Sequence, residues 1–188
     1  MVLILTAPNK EDYHSFYGLI KDKEIFKRFE LLQNKSLKWC ENFMNNWIQL
    51  DEQGEFLRWM KLIKIAESKN DAEYYTNQNS TLIGFITHDD AGAIEGGISG
   101  FKMLLNYGII EKYRGQGIMT MALKLRLQRL EELQYNIVSA FIDSDNLESR
   151  KVLLKCGFVK VGENDLGESY AKRIYLNEST FNKAFSLQ

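Results

Sequence analysis

The segment that most constrains this chain is the passage from an apolar run through a glycine loop into a periodic stretch. Phe101 to Ile110 carries few polar residues. That is the pattern of a strand buried on both faces, and so central in its sheet. Glu111-Lys112-Tyr113 follow, then Arg114-Gly115-Gln116-Gly117. From Gly117 to Leu133 the spacing predicts a helix with Leu123, Leu127 and Leu130 on its inner face. Strand, glycine loop and helix in that order free several backbone N–H groups to point the same way. Gly115 and Gly117 have no side chain to hinder a ligand, and the helix start adds roughly half a positive charge. Backbone alone can then cradle a phosphate. The same residues also suit a plain tight turn, so the junction needs a second feature beside it. Two alternatives are excluded. No Lys-Ser or Lys-Thr follows the glycines, as a nucleoside-triphosphate loop requires. Thr120 stands where a dinucleotide-binding G-x-G-x-x-G needs its third glycine.

The length, 188 residues, suits one domain with a real core. With 24 basic against 25 acidic residues, the formal charge of -1 offers no global field for nucleic acid or an anionic membrane. Cys40 and Cys156 belong to no C-x-x-C pair, and His14 and His88 are isolated, so no metal site is expected. Two buried free thiols fit a reducing compartment. Met1-Val2-Leu3-Ile4-Leu5 is too short for a signal segment, and no apolar run reaches membrane-spanning length. The expected location is the cytoplasm.

The chain reads as α+β throughout. Val2 to Thr6 predicts a strand, and Asn9 to Ile20 a helix with Tyr13, Phe16, Tyr17 and Ile20 on one face. Ser36 is the expected N-cap of a helix carrying Trp39, Phe43, Met44, Trp47 and Ile48, ended near Gly54. Such an aromatic stripe, extended by Phe56 and Trp59, is read as core before acceptor pocket. Phe56 to Glu67 fits both a helix and a strand, with helix preferred. Glu73–Thr76 and Thr81–Thr87 read as a hairpin, and Asp89 to Gly100 as a loop. Asn136–Ile142 is expected as a strand, Asn146–Lys155 as a helix, and Phe158–Val161 and Tyr170–Leu176 as strands.

The second feature lies about thirty residues past the glycine loop: Asp143-Ser144-Asp145-Asn146-Leu147-Glu148-Ser149-Arg150, then Lys155-Cys156-Gly157-Phe158. Tyr-Arg-Gly-Gln-Gly before a helix, Asn-x-x-Ser on the next helix and Gly-Phe opening a strand resemble the GNAT superfamily of acyl-CoA N-acyltransferases. With Leu82-Ile83-Gly84-Phe85 upstream, the pattern is similar to the branch that includes the ribosomal-protein N-terminal acetyltransferases. It covers Thr81 to Val161. The resemblance implies a mixed, mostly antiparallel central sheet flanked by helices, with a splayed strand pair. It implies one acyl-CoA N-acyltransferase domain over residues 1–178, followed by a tail over 179–188.

The resemblance also implies a site. The pantetheine arm of acetyl-CoA would enter as a pseudo-strand along the backbone of Ile109 and Ile110. The pyrophosphate would sit on the N–H groups of Gly115, Gln116, Gly117, Ile118, Met119 and Thr120, with Arg114 adding charge or bracing the loop. Asn146 would bond the pantetheine, Ser149 would lie near the sulfur, and Lys155 or Arg150 would reach the phosphates. Three departures stand out. Met119 replaces a small residue, which moves the pyrophosphate outward or sends the side chain into the core. Leu153 stands where many members carry a tyrosine acid, leaving Ser149 as the candidate acid. Met103-Leu104-Leu105-Asn106 lacks the usual glutamate base, leaving Glu95, with Asp89, Asp90 and His88 beside it, as candidates.

The implied reaction is direct attack of a primary amine on acetyl-CoA in a ternary complex. The acceptor is a small molecule or a protein N-terminus, and a homodimer stays open. The alternative is a non-catalytic acyl-CoA-binding or regulatory domain on the same fold.

Overall fold

A computed structural model of the chain describes residues 2–52, 60–67, 79–90, 102–132, 135 and 137–174. Among them, seven strands form a sheet in the order β1-β2-β3-β4-β5-β7-β6. They are β1 (Val2–Thr6), β2 (Lys61–Ala66), β3 (Ser80–Asp90), β4 (Lys102–Ile109), β5 (Ile137–Ile142), β6 (Val159–Asn164) and β7 (Gly167–Arg173). The flanking helices are α1 (Tyr13–Leu19), α2 (Lys23–Arg28), α3 (Leu37–Glu52), α4 (Ile118–Glu132) and α5 (Leu147–Lys155). Pairing is antiparallel for β1–β2, β2–β3, β5–β7 and β6–β7, and parallel for β4–β5. This is the expected mixed, mostly antiparallel architecture, with β4 at the centre of the order. The chain divides into two compact units, Met1–Thr87 with Tyr107–Ala122, and His88–Asn106 with Leu123–Gln188.

In the first unit, the Ser36 hydroxyl accepts the Trp39 amide at 3.1 Å and starts α3. The stripe then packs inward. Trp39 stacks on Phe43 at 4.7 Å, Phe43 on Phe16 at 6.0 Å, and Cys40 and Met44 are fully buried. That part of the aromatic face is core, while Phe56 and Trp59 lie outside the described residues. The helix expected from Asn9 begins instead as a 3-10 turn, Lys10–Asp12, and becomes α1 at Tyr13.

The preference for helix over Phe56–Glu67 is corrected. Residues 53–59 are not described, and Lys61–Ala66 is β2, paired with β1 on one side and β3 on the other. Burial on both faces hides any alternation, and Lys64 interrupts the apolar run. Its ammonium is nevertheless buried, 2.6 Å from Asp12 Oδ1, and Asp12 is itself buried. Asp12 Oδ2 also accepts the Asn9 amide at 3.1 Å. A buried charge needs such a partner, and removing one member of a pair like this costs about 3–5 kcal/mol.

Three other expectations shift. Thr81–Thr87 lies in β3, between β2 and β4 in the sheet, while Glu73–Thr76, its expected hairpin mate, lies outside the described residues. Asp89 and Asp90 close β3 rather than open a loop. β6 runs on to Asn164 and β7 starts at Gly167. Helix α2 had no counterpart in the sequence reading.

Gly84 in β3 marks a close backbone approach. A Cβ there would meet the Gly108 carbonyl oxygen inside 3.0 Å and Ile109 Cα at 3.2 Å. Gly108 answers it, with the Phe85 ring 3.1 Å from where its own Cβ would stand. The Ile110 amide donates to the Ile83 carbonyl at 2.9 Å and holds the end of β4 in place.

In the second unit, Leu123, Leu127 and Leu130 form the buried face of α4, as their spacing predicts. The β4–β5 register runs from Lys102↔Ile137 to Leu105↔Ala140. Asn146 caps α5, its side chain accepting the Ser149 amide at 3.1 Å. The helix ends at Lys155 with Cys156 as its C-cap, and Gly157 follows with a φ of 80°, the left-handed exit that glycine tolerates.

Candidate functional site

Tyr107–Ala122 carries the phosphate-binding candidate. After β4 a 3-10 turn, Glu111–Tyr113, leads to Arg114 and the glycines. Gly115 and Gly117 have φ of 73° and 76°, and a Cβ at either would meet no atom of the described residues within 4 Å. They are therefore required by backbone conformation and leave open space above the loop. The Met121 amide donates to the Gly117 carbonyl at 3.0 Å, opening the α4 ladder. The amides of Ile118 and Met119 precede that bond and belong to the first turn of the helix, where N–H groups have no intrahelical acceptor. The space and the donors fit a diphosphate.

The side chains of this loop are braced rather than extended. Arg114 Nε donates to the Ile109 carbonyl at 2.9 Å, and its Nη2 meets Asp22 Oδ1 at 2.5 Å. Asp22 is the N-cap of α2, and its Oδ2 also accepts the Glu111 amide at 2.8 Å. Burial acts to raise the Asp22 pKa, but the Glu111 amide and the Arg114 guanidinium outweigh it and hold the carboxyl below its ordinary value. Gln116 Nε2 donates to the Lys112 carbonyl at 3.0 Å. Ile118 and Met119 are buried, so the Met119 side chain goes to the core. Ile110 spends its amide on Ile83, and its carbonyl accepts the Tyr113 amide at 3.1 Å.

Asn146 and Ser149 lie in the second unit, on the first turn of α5. Arg150 is committed there: Nε donates to Glu168 Oε2 at 2.8 Å and Nη2 to the Ser144 carbonyl at 3.0 Å. Glu168 also takes Lys160 at 2.8 Å and the Tyr170 hydroxyl at 3.0 Å. Lys155 is exposed on the last turn, nine residues past Asn146, which is about 13 Å along a helix. Leu153 is fully buried.

The base candidates fare differently. Glu95 lies outside the described residues. His88 is buried, with Arg126 Nη2 at 3.1 Å from Nε2 and 3.3 Å from Nδ1. Burial lowers the Arg126 pKa to about 10, yet the group stays charged at neutral pH. A buried ring set against a buried guanidinium suits packing. Cys156 is buried and its thiol pKa is raised, chiefly by burial, which suits packing. Among the described residues no group of three or more His, Cys, Asp or Glu could hold a metal ion. No described helix is long and apolar enough to cross a membrane.

Sequence reasoning missed Asp22, Glu168 and Arg126. Asp22 carries a local signal, an acid just before a helix, but nothing local ties it to Arg114, whose partner lies 92 positions away.

The geometry has a family counterpart. The chain belongs to the GNAT acetyltransferases: the family described as acetyltransferase (GNAT) domain matches residues 2–159. A comparison with curated protein sequences gives no match. Several solved structures share the fold. One is RimL, a ribosomal L7/L12 alpha-N-protein acetyltransferase in complex with coenzyme A. It is 19% identical with a TM-score of 0.70, covering 93% of this chain and 95% of that one. Another is spermidine N-acetyltransferase from Vibrio cholerae in complex with CoA and spermine, 16% identical with a TM-score of 0.68, over 92% and 95%. A third is the microcin C7 self-immunity acetyltransferase MccE in complex with acetyl-CoA and AMP, 16% identical with a TM-score of 0.67, over 92% of each chain. Family membership makes acetyl transfer the general chemistry of the chain, while identities this low speak only to the fold.

Proposed function

We propose that this chain is an acetyl-CoA-dependent N-acetyltransferase of the cytoplasm that acetylates a primary amine by direct attack in a ternary complex. The observation that carries the reading is the pair of left-handed glycines, Gly115 and Gly117, at the start of α4, with no atom of the described residues within 4 Å of where a Cβ would stand. In this reading the amides from Gly115 to Thr120 hold the pyrophosphate, and the end of β4 at Ile109 guides the pantetheine, because Ile110, also expected to line it, already gives its amide to Ile83 and its carbonyl to Tyr113. Arg114 acts by bracing the loop. Asn146 bonds the pantetheine through the side-chain atoms its cap leaves over, and Lys155 offers charge to the nucleotide phosphates.

The amine must arrive neutral, because an ammonium has no lone pair to give. Its nitrogen bonds the thioester carbonyl carbon, the carbon–sulfur bond breaks, and the departing thiolate takes up a proton. The amine's surplus proton leaves to a base. Ser149 is the candidate acid and Glu95 the candidate base. Holding the two reactants together supplies much of the rate without a covalent enzyme intermediate. The acceptor class spans small amines and protein N-termini. RimL acts on a ribosomal protein and the Vibrio cholerae structure holds spermine, so relatives of this fold are named for both.

The buried Leu153, at the position where many relatives carry a tyrosine acid, favours one second reading: a domain that binds acyl-CoA without turnover. Free-thiol release from acetyl-CoA across a panel of amines separates the two. The enzyme reading expects release with at least one amine and its loss in Asn146→Ala. Coenzyme binding with no release on any amine supports the second reading.

A further inference from the structure

Asp22 stands outside every motif of the family pattern, yet three strands of connectivity converge on its carboxylate. Oδ1 caps α2, accepting the amides of Glu24 at 3.1 Å and Ile25 at 3.3 Å. The same oxygen meets Arg114 Nη2, and Oδ2 accepts the Glu111 amide at 2.8 Å. Glu111 is the first residue of the 3-10 turn that follows β4, and that turn has no side-chain cap of its own. Arg114 is the residue that closes it, and its Nε returns to the Ile109 carbonyl. The short connection from β4 to Gly115 is thus held at its start, at its end and against the strand. Two of those three ties run through one aspartate.

The two residues that follow most need such a tether. Gly115 and Gly117 sit at positive φ with no side chains to pack, so nothing of their own fixes the direction of the amides around them. A donor array aimed at an anion binds well only when it is held in place beforehand, because ordering it on binding costs affinity. Arg114 itself is ill placed to serve as a free phosphate ligand, with its charge balanced by Asp22 and its Nε spent on Ile109.

We infer that Asp22 is a positioning residue for the coenzyme loop, acting through the Glu111 amide and Arg114. This rests on the coenzyme-binding reading above. It opposes the simpler idea that Asp22 only neutralises Arg114. On that idea, removing the carboxylate would release a cation beside the phosphate and tighten binding. On ours, removing it weakens binding.

The test is Asp22→Ser, because serine keeps the cap of α2 while losing the second oxygen and the charge. Binding of coenzyme A is measured by calorimetry, and binding of pantetheine, which has no pyrophosphate, by saturation-transfer NMR. The expected result is a melting point close to that of the parent, at least a tenfold loss in coenzyme A affinity, and unchanged pantetheine binding. Arg114→Ala should reproduce part of the loss, and the double variant should lose less than the two single losses combined. Equal or tighter coenzyme A binding by Asp22→Ser overturns the inference, as does an equal loss for coenzyme A and pantetheine. A parent protein that binds no coenzyme A overturns the coenzyme reading itself. A parent that binds it while Asp22→Ser is unaffected overturns only the role of Asp22.

Discussion

Replacing Gly84 by alanine tests the packing that aligns β3 with the end of β4. The added methyl would lie inside 3.0 Å of the Gly108 carbonyl oxygen and 3.2 Å from both Ile109 Cα and Ile63 Cδ1. Ile63 Cδ1 is the tip of a side chain and can turn away. The other two atoms are backbone, and Gly108 is itself wedged against Phe85, so relief requires β4 to move. Overpacking of this kind costs about 1–3 kcal/mol. Alanine also narrows the unfolded ensemble, which favours the variant by about 0.4–1 kcal/mol. The clash wins, leaving a net loss of roughly 1–2 kcal/mol, or a melting-point drop of about 2–8 °C for a chain this size. Gly18→Ala is the control of opposite sign. Gly18 lies in α1 with nothing within 4 Å of its missing Cβ, so the gain is about 0.5–1 kcal/mol. Thermal unfolding followed by circular dichroism reads both. A Gly84→Ala protein that melts at or above the parent temperature refutes the close-approach argument.

Three further outcomes follow from the same geometry. Gly117→Ala forces a side chain to a φ of 76° and should cost about 1–2 kcal/mol in stability, while coenzyme A affinity falls at least tenfold because the new methyl enters the open side of the loop. Burial pushes the Cys40 thiol up to about 11, so about 0.1% is thiolate at pH 8. Native protein should therefore leave Cys40 unmodified over minutes with a disulfide reagent, and denatured protein should yield both thiols. Asp22 has its carboxyl held below the ordinary 3.8. A depressed folded pKa gives stability that is complete above the unfolded value and is lost as pH falls through the folded one. The gap in melting point between the parent and Asp22→Ala should hold from pH 7 to about pH 4 and narrow below 3.8, and a gap that widens on acidification contradicts the assignment.

What the sequence made legible was local. The Ser36 cap, the leucine face of α4 and the glycines before it are read within a few residues, because a helix start and a left-handed turn depend on their own neighbours. β2 was hidden for the opposite reason. Lys64 looks like a surface residue until Asp12, more than fifty positions earlier, is folded onto it. The partner in the brace of the glycine loop was hidden likewise: bracing by Arg114 is one of the two roles its sequence allows, but nothing local points to Asp22, 92 positions away. Once paired, the arginine is a strut and Asp22 is its anchor. Asn146, a ligand candidate by resemblance, is first of all the cap of α5. His88, a base candidate by its place in the sequence, is a buried ring against Arg126.

The central claim is that the backbone of Gly115 to Thr120 holds the diphosphate of an acyl coenzyme. A crystal structure with coenzyme A bound addresses it directly. Pyrophosphate oxygens are expected within about 3 Å of several amides in that run, with the Arg114–Asp22 pair still closed. Coenzyme A bound with its pyrophosphate away from those amides, or held by Arg114 after the pair has broken, would contradict it.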